Sequence, residues 1–345
     1  MLQSRGIGVV GTRADGGAPS AEESIAGQDL ARRGVVLALD VGGTELKGGL
    51  VGENGKLLRS RRSPTGAADG PDAVLTRVVA LLEKLRKDAG RLSSDRILGI
   101  GIAVPGVVDG AAGVAVFGSN IPWRDTPVVA RLSGALDLPV VLSHDVRAAG
   151  VAEAELGVAQ GVSNFLFLAL GTGISGAVFV DGRSTSGSHA RAGEIGHILV
   201  EPNGVRCGCG AWGCLETVAS AAAVSRRYSL RCGGPVVVSA TDVFVRASHG
   251  DKDAMIVCSE AVEALAMVIA TYQGILDAEL VVVGGGLSLA GSLLLDALEA
   301  ALRRNCVFAV MPRLERAGLG DEAGCIGAGL LARNELEGVV PRRGR

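Results

Sequence analysis

Three short apolar runs each end in a glycine turn, at residues 40–44, 171–173 and 284–286, and this repeated arrangement constrains the fold more than any other feature of the chain. Residues 35–39 are apolar and lead into Asp40-Val41-Gly42-Gly43-Thr44; residues 46–51 are apolar again, and Glu53-Asn54-Gly55-Lys56 reads as a hairpin turn. The pattern is strand, tight turn, strand, hairpin turn, strand. It partly restarts with the run 164–170, the turn Gly171-Thr172-Gly173 and the run 174–180, which Asp181-Gly182 closes. The run 280–283 then meets Gly284-Gly285-Gly286, with a helix expected from near Leu289. Two lobes of similar layout are expected, each with backbone held close to a ligand, because only glycine lets a main chain approach so near.

Between these turns the periodicity predicts a helix over 72–87, a strand over 97–103, a helix over 127–136, a strand over 138–142 and a helix opening at Asp145. Two more amphipathic helices are expected over 257–276 and 291–302. Residues 1–33 are rich in Gly, Ala, Ser and charge and are expected to be a mobile extension, so the folded body begins at Gly34. The chain's 345 residues, 48% hydrophobic, are enough for two well-filled lobes. A balance of 34 basic against 36 acidic residues lacks the bias of a phosphate-backbone binder, so no nucleic-acid partner is expected. No run reaches the roughly 18 uncharged apolar residues of a membrane span, so a soluble, cytoplasmic protein with no membrane partner is expected.

Chemically, the turn from Asp40 to Thr44 can bind phosphate: Gly42 and Gly43 expose N–H groups, Thr44 adds a hydroxyl, and Asp40 can hold magnesium directly or through water. Lys47 follows as a further cation. Such a turn alone is a weak signal, since strand-ending glycine pairs occur in many folds. A P-loop ending in Gly-Lys-Ser/Thr and a Rossmann-type glycine triad are both missing from the sequence. The order of Gly42-Gly43, then Gly171-Thr172-Gly173, then Gly284-Gly285-Gly286 resembles the two phosphate motifs and the adenosine motif of the sugar kinase, actin and Hsp70 superfamily. That resemblance implies ATP in a cleft between two lobes.

Seven cysteines are present, an odd number, and three fall within 207–214. Cys207-x-Cys209-x4-Cys214, with His197 ten residues upstream, offers three thiolates and an imidazole, the closed set of a structural zinc site; free thiols in a glycine-rich loop are the alternative. Gly-His followed by Cys-x-Cys-Gly-x-x-Gly-Cys-x-Glu resembles the signature of the ROK family (repressor, open reading frame, kinase), and the likeness runs from about Val35 to Ala332. It implies an α/β, two-lobed, actin-like ATPase fold made of duplicated ribonuclease H-like lobes. Residues 34–146 plus a C-terminal helix at about 325–338 would form one lobe, and residues 147–324, with the zinc loop 197–216, the other. It also implies that Glu194, His197 and Glu216 contact sugar hydroxyls, that Asn120 contributes its amide, and that family members are commonly homodimers.

Asp145 follows a strand and opens a helix, where by itself it would serve as an N-cap. The resemblance makes it the base that takes the proton of the attacking hydroxyl. The family usually reads Asn-Asp-x-Asn-Ala-Ala here, whereas this chain has His144-Asp145-Val146-Arg147-Ala148-Ala149. Both amides are replaced, and His144 sets a titratable ring beside the acceptor. The implied activity is ATP-dependent phosphorylation of a primary hydroxyl of a hexose or hexose-like polyol, with magnesium and structural zinc. The altered segment admits a C7-cyclitol of the valiolone type as acceptor, or a member that binds sugar without turnover. A sugar-sensing repressor would need an N-terminal winged helix, which 33 polar residues cannot supply.

Overall fold

The computed structural model describes residues 34–92, 96–118, 120–234 and 237–338; the extension expected over 1–33 lies outside the described residues. Two five-stranded sheets carry the molecule. In the first, β1 (Val35–Val41) pairs antiparallel with β2 (Glu45–Val51), and β2 with β3 (Leu57–Pro64); on its other side β1 runs parallel to β4 (Ile97–Val104), and β4 to β8 (Val140–His144). A small sheet of β5 (Val107–Asp109), β6 (Val114–Phe117) and β7 (Arg124–Thr126) follows β4.

The second large sheet repeats the first. Here β9 (Phe165–Leu170) pairs antiparallel with β10 (Ile174–Val180), and β10 with β11 (Arg183–Ser184), while β9 runs parallel to β12 (Leu280–Gly284), and β12 to β13 (Arg313–Arg316). Strand order and direction agree position by position. The glycine turns 42–43 and 171–173 therefore occupy corresponding corners of two duplicated lobes.

Each lobe has its own core. In the first, α1 (Pro71–Ala89) starts with Pro at its first position, where no intrahelical N–H is needed, and buries Val74, Val78, Leu81, Leu82 and Leu85 against β1 and β2. Each fully buried leucine contributes roughly 1.5–3 kcal/mol. Trp123 is fully enclosed in this core. In the second, α5 (Ala221–Arg231), α6 (Ala240–Ser248), α7 (Lys252–Leu276) and α8 (Ser292–Asn305) surround a larger core. The length and apolarity of α7 would suit a membrane span, but its buried apolar residues, among them Val257, Ala261, Leu265 and Ile269, are spent on this core.

The chain crosses between lobes along α3 (Asp145–Leu156) and returns into α9 (Ala323–Leu336), which lies on β1 and β4 and against α3. The helices touch backbone to backbone, since a Cβ at Gly327 would fall 1.7 Å from the Ala148 carbonyl oxygen. Both crossings are tied by one side chain. Glu153 has no exposed surface; its Oε1 accepts the Leu319 N–H at 2.9 Å, on the return path, and its Oε2 accepts the Val158 N–H at 3.0 Å, just beyond α3.

Three local expectations shift. The strand expected over 138–142 is β8 at Val140–His144, because Pro139 has no N–H for the ladder and offers only its carbonyl, to Ile100. The helix expected from Leu289 begins at Ser292, since residues 286–290 form a 3-10 turn that Ser288 closes on the Gly285 carbonyl. The three short strands of the small sheet, at three or four residues each, have no counterpart among the expected elements.

Candidate active site

Parallel strands converge at their carboxyl ends, and the site is built there. Asp40 near the end of β1 and Asp145 just after β8 face the same crevice. Burial, reinforced by the like charge of Asp145, pushes the Asp40 carboxyl up to about 7, although Lys47, its cross-strand neighbour, pulls the other way. Two carboxylates that feel each other's charge favour a proton or a cation at the site. Gly324, in the first turn of α9, has no Cβ because one would lie 2.7 Å from an Asp40 oxygen.

The turn beside Asp40 is clamped from below. Gly42 donates to the Glu45 carbonyl at 3.0 Å, and the buried Thr65 donates its hydroxyl to the Gly42 carbonyl at 2.6 Å and its N–H to the Thr44 carbonyl at 2.9 Å. Gly43 and Thr44 are left exposed, free to meet a ligand, and Asn120 lies against Gly43. Lys47 donates to the Asp321 carbonyl at 3.0 Å and lies 3.7 Å from its carboxylate, so its ammonium is engaged at the return to α9.

In the second lobe, Gly171 donates to the Gly173 carbonyl at 2.9 Å, closing the matching turn with Thr172 exposed at its tip. Gly284 pairs with Ala169, which sets Gly285 and Gly286 alongside that turn. Gly285 takes φ +80°, and a Cβ there would lie 2.5 Å from the Leu170 carbonyl oxygen, so no other residue fits. The two turns share one edge of the sheet.

Asp145 occupies the first position of α3; its Oδ1 accepts the Val146 N–H at 2.7 Å and stands 3.3 Å from Nε2 of the buried His144. Arg147, two residues on, is also buried. Loss of solvation holds its pKa below the ordinary arginine value, and the charges of Glu194 and Asp145, one from each lobe, work against that.

His197 ends a single 3-10 turn that begins after Glu194, and its two nitrogens face different ways. Nε2 is 3.8 Å from Glu194 Oε2, and Nδ1 is 3.6 Å from Cys207 Sγ. The sulfurs of Cys209 and Cys214 are 3.7 Å apart, and all four donor atoms lie within 4.8 Å of one another. Metal–sulfur bonds of ~2.3 Å and a metal–nitrogen bond of ~2.0 Å at tetrahedral angles require S···S of ~3.8 Å and S···N of ~3.6 Å. The donor set fits a tetrahedral ion. Burial and the neighbouring thiols push Cys214 up to about 12, so a cation is needed to keep three thiolates together at neutral pH. The loop is held by Cys207 donating to the Ala211 carbonyl at 2.7 Å and by Arg227, which bridges Glu201 and Glu260. Just beyond it, Glu216 Oε2 accepts the Ile174 N–H at 2.9 Å and lies over Gly173.

The sites named from sequence thus fall into linked groups: Asp40 with His144 and Asp145, Glu194 with His197 and the three cysteines, and Glu216 with the turn 171–173. Sequence reasoning missed Thr65 and Glu153, and it noted Arg147 only as a departure from a pattern. A buried polar residue reads as nothing until its distant partner is known.

This duplicated fold with its Cys-His knuckle defines a family: the chain belongs to the ROK family, whose model matches residues 36–335. It is 33% identical over 314 residues to a glucokinase of Halalkalibacterium halodurans, covering 87% of this chain and 95% of that one. It is 31% identical over 300 residues to an N-acetylmannosamine kinase of Escherichia coli O157:H7, covering 87% and 98%. Among solved structures it superposes on a ROK family glucokinase from Streptomyces griseus in complex with glucose and AMPPNP, with a TM-score of 0.76 and 28% identity over 87% of this chain and all of that one. The two lobes are those of the actin-like fold.

Proposed function

We propose that this chain transfers the γ-phosphoryl group of ATP to the primary hydroxyl of a hexose or hexose-like polyol, a C7-cyclitol included, with Asp145 as general base. The observation that carries this reading is the meeting of Asp145 and Asp40 at the ends of β8 and β1, beside the turn 42–44. Asp145 has one oxygen on the Val146 N–H, and among the described residues nothing donates to the other, which a hydroxyl could reach. As the hydroxyl oxygen bonds to the γ-phosphorus, its proton passes to Asp145 and the bond to the β–γ bridging oxygen breaks, releasing ADP. Phosphoryl transfer needs mainly positioning and charge stabilisation, which the N–H groups of the turns 42–44 and 171–173 would supply to the phosphates. A magnesium ion on Asp40, direct or through water, would neutralise phosphate charge.

Glu194, His197 and Glu216 would hold acceptor hydroxyls, with Asn120 at the rim. A zinc ion on Cys207, Cys209, Cys214 and His197 Nδ1 would stiffen the loop that carries them, reducing the entropy lost when the acceptor binds. An ADP-release assay over neutral hexoses, N-acetylhexosamines and cyclitols, with Asp145→Asn as control, tests the reading. Equal rates for the two proteins would sink it, and acceptor-dependent stabilisation without ATP consumption would show a binding protein.

A further inference from the structure

Arg147, which feels the charges of Asp145 and Glu194, also lines a partly open cavity of about 880 Å³ between the lobes. Its walls are the start of the small sheet, the end of β8 and the loop 184–191. The chemistry of its lining is the reverse of the polyol site. There, Asp145, Glu194 and Glu216 are acceptors, suited to hydroxyl donors. Here Arg147, Arg191, His189, Ser186 and Ser188 present donors, and Asp109 is the only lining carboxylate, with one oxygen already taken by the Ala112 N–H at 2.9 Å.

Arg147 points to a ligand most directly. It is only 8% exposed, and among the described residues its one hydrogen bond is a long one, Nη2 to the Val108 carbonyl at 3.5 Å. Nε and Nη1 have no partner among the described residues, yet they are not among the sealed, unpartnered polar atoms, so they open onto accessible space, and the cavity is the space this side chain lines. A buried guanidinium with free donors is costly unless something accepts from it. A hexose alone gives such donors only hydroxyls, whereas a carboxylate or phosphate gives the planar or tetrahedral set of oxygens that arginine matches.

We propose that this cavity extends the acceptor site and takes an anionic substituent, carboxylate or phosphate, carried by the acceptor away from the hydroxyl that is phosphorylated, with Arg147 and Arg191 as specificity-determining residues. This rests on the kinase reading above. The ligand it describes has a hydroxyl-rich end facing carboxylates and an anionic end facing guanidinium groups.

The test compares kcat/KM for glucose, gluconate and glucose 1-phosphate in the wild type, Arg147→Asn and Arg191→Ala. At least one anionic acceptor is expected to exceed glucose by about tenfold or more in the wild type, the worth of one charge-assisted contact. Which of the two prevails tells carboxylate from phosphate. Arg191 is exposed, so its replacement leaves folding intact; it is expected to raise KM for the anionic acceptor about tenfold and to leave glucose within about threefold. Glucose equal to or better than both anions in the wild type, or equal losses for all three acceptors in the variants, would overturn the proposal. Should no acceptor be turned over, the kinase reading fails and calorimetry decides the cavity separately. Binding of gluconate or glucose 1-phosphate that Arg191→Ala weakens supports it, and no binding, or binding unchanged by the variant, overturns it.

Discussion

Replacing Glu153 with glutamine should lower the melting temperature by several degrees, and the size of the loss follows from two hydrogen bonds. The carboxylate has no exposed surface and accepts N–H groups from Leu319 and Val158, one on each path between the lobes. Glutamine keeps the shape and one acceptor oxygen, but its NH2 group must face the other N–H, donor against donor. The variant loses one hydrogen bond to a charged acceptor, worth ~1.5–3 kcal/mol, and leaves a buried N–H unpaired, so the total is ~2–4 kcal/mol. At ~2–3 °C per kcal/mol for a chain of this size, the melting temperature should fall by ~5–10 °C. Thermal unfolding by circular dichroism measures the fall, and hydrogen exchange at Leu319 and Val158 locates it. Desolvation of the carboxylate opposes this expectation, since an amide is cheaper to bury. An unchanged or higher melting temperature, with both amides still protected, would show that the desolvation cost is the larger and refute the reasoning.

Asp145→Asn keeps an oxygen for the Val146 N–H, so it should fold normally; kcat should drop roughly 100- to 10,000-fold while KM for the acceptor stays within a few fold, as steady-state kinetics will show. Elemental analysis of protein purified without chelator should find about one zinc per chain, with Cys209→Ser cutting it severalfold, whereas less than about half a zinc in the wild type would count against the site. Asp40 releases its proton at about 7 in the folded chain and at the ordinary carboxylate value of 3.8 once unfolded, so folding retains a proton across that interval, and stability should fall as pH rises through it and level off above. In magnesium- and nucleotide-free buffer, Asp40→Asn should therefore gain melting temperature over the wild type as pH increases from about 4 to 7; a difference independent of pH would contradict the burial of that charge.

The parts legible in the sequence are those whose determinants are local. Strand β10 appears at its true limits because Gly173 and Asp181-Gly182 bracket it, and the cysteine-histidine cluster is readable because its four donor residues span eighteen residues of one loop. The small sheet is invisible because strands of three or four residues carry no readable periodicity. Glu153 is invisible for another reason: its partner Leu319 lies 166 positions away, and only the fold brings them together. The same holds for Lys47 and Asp321, and for Thr65 beneath the turn 42–44. The segment 144–147 stands out as a departure, but the direction in which Arg147 points, and the space it opens onto, leave no trace in the chain.

The imidazole of His197 belongs to two compartments at once, and this has a consequence for how its loop can vary. Were Nδ1 to hold a metal ion, the ring proton would reside on Nε2, and the nitrogen nearest Glu194 would be a donor. Through such an ion the cysteines would select a tautomer for a residue that lies before them in the chain. A change in the knuckle that leaves the protein folded would still be felt across the ring, as a reversal of one polarity in the pocket rather than as a loss of structure.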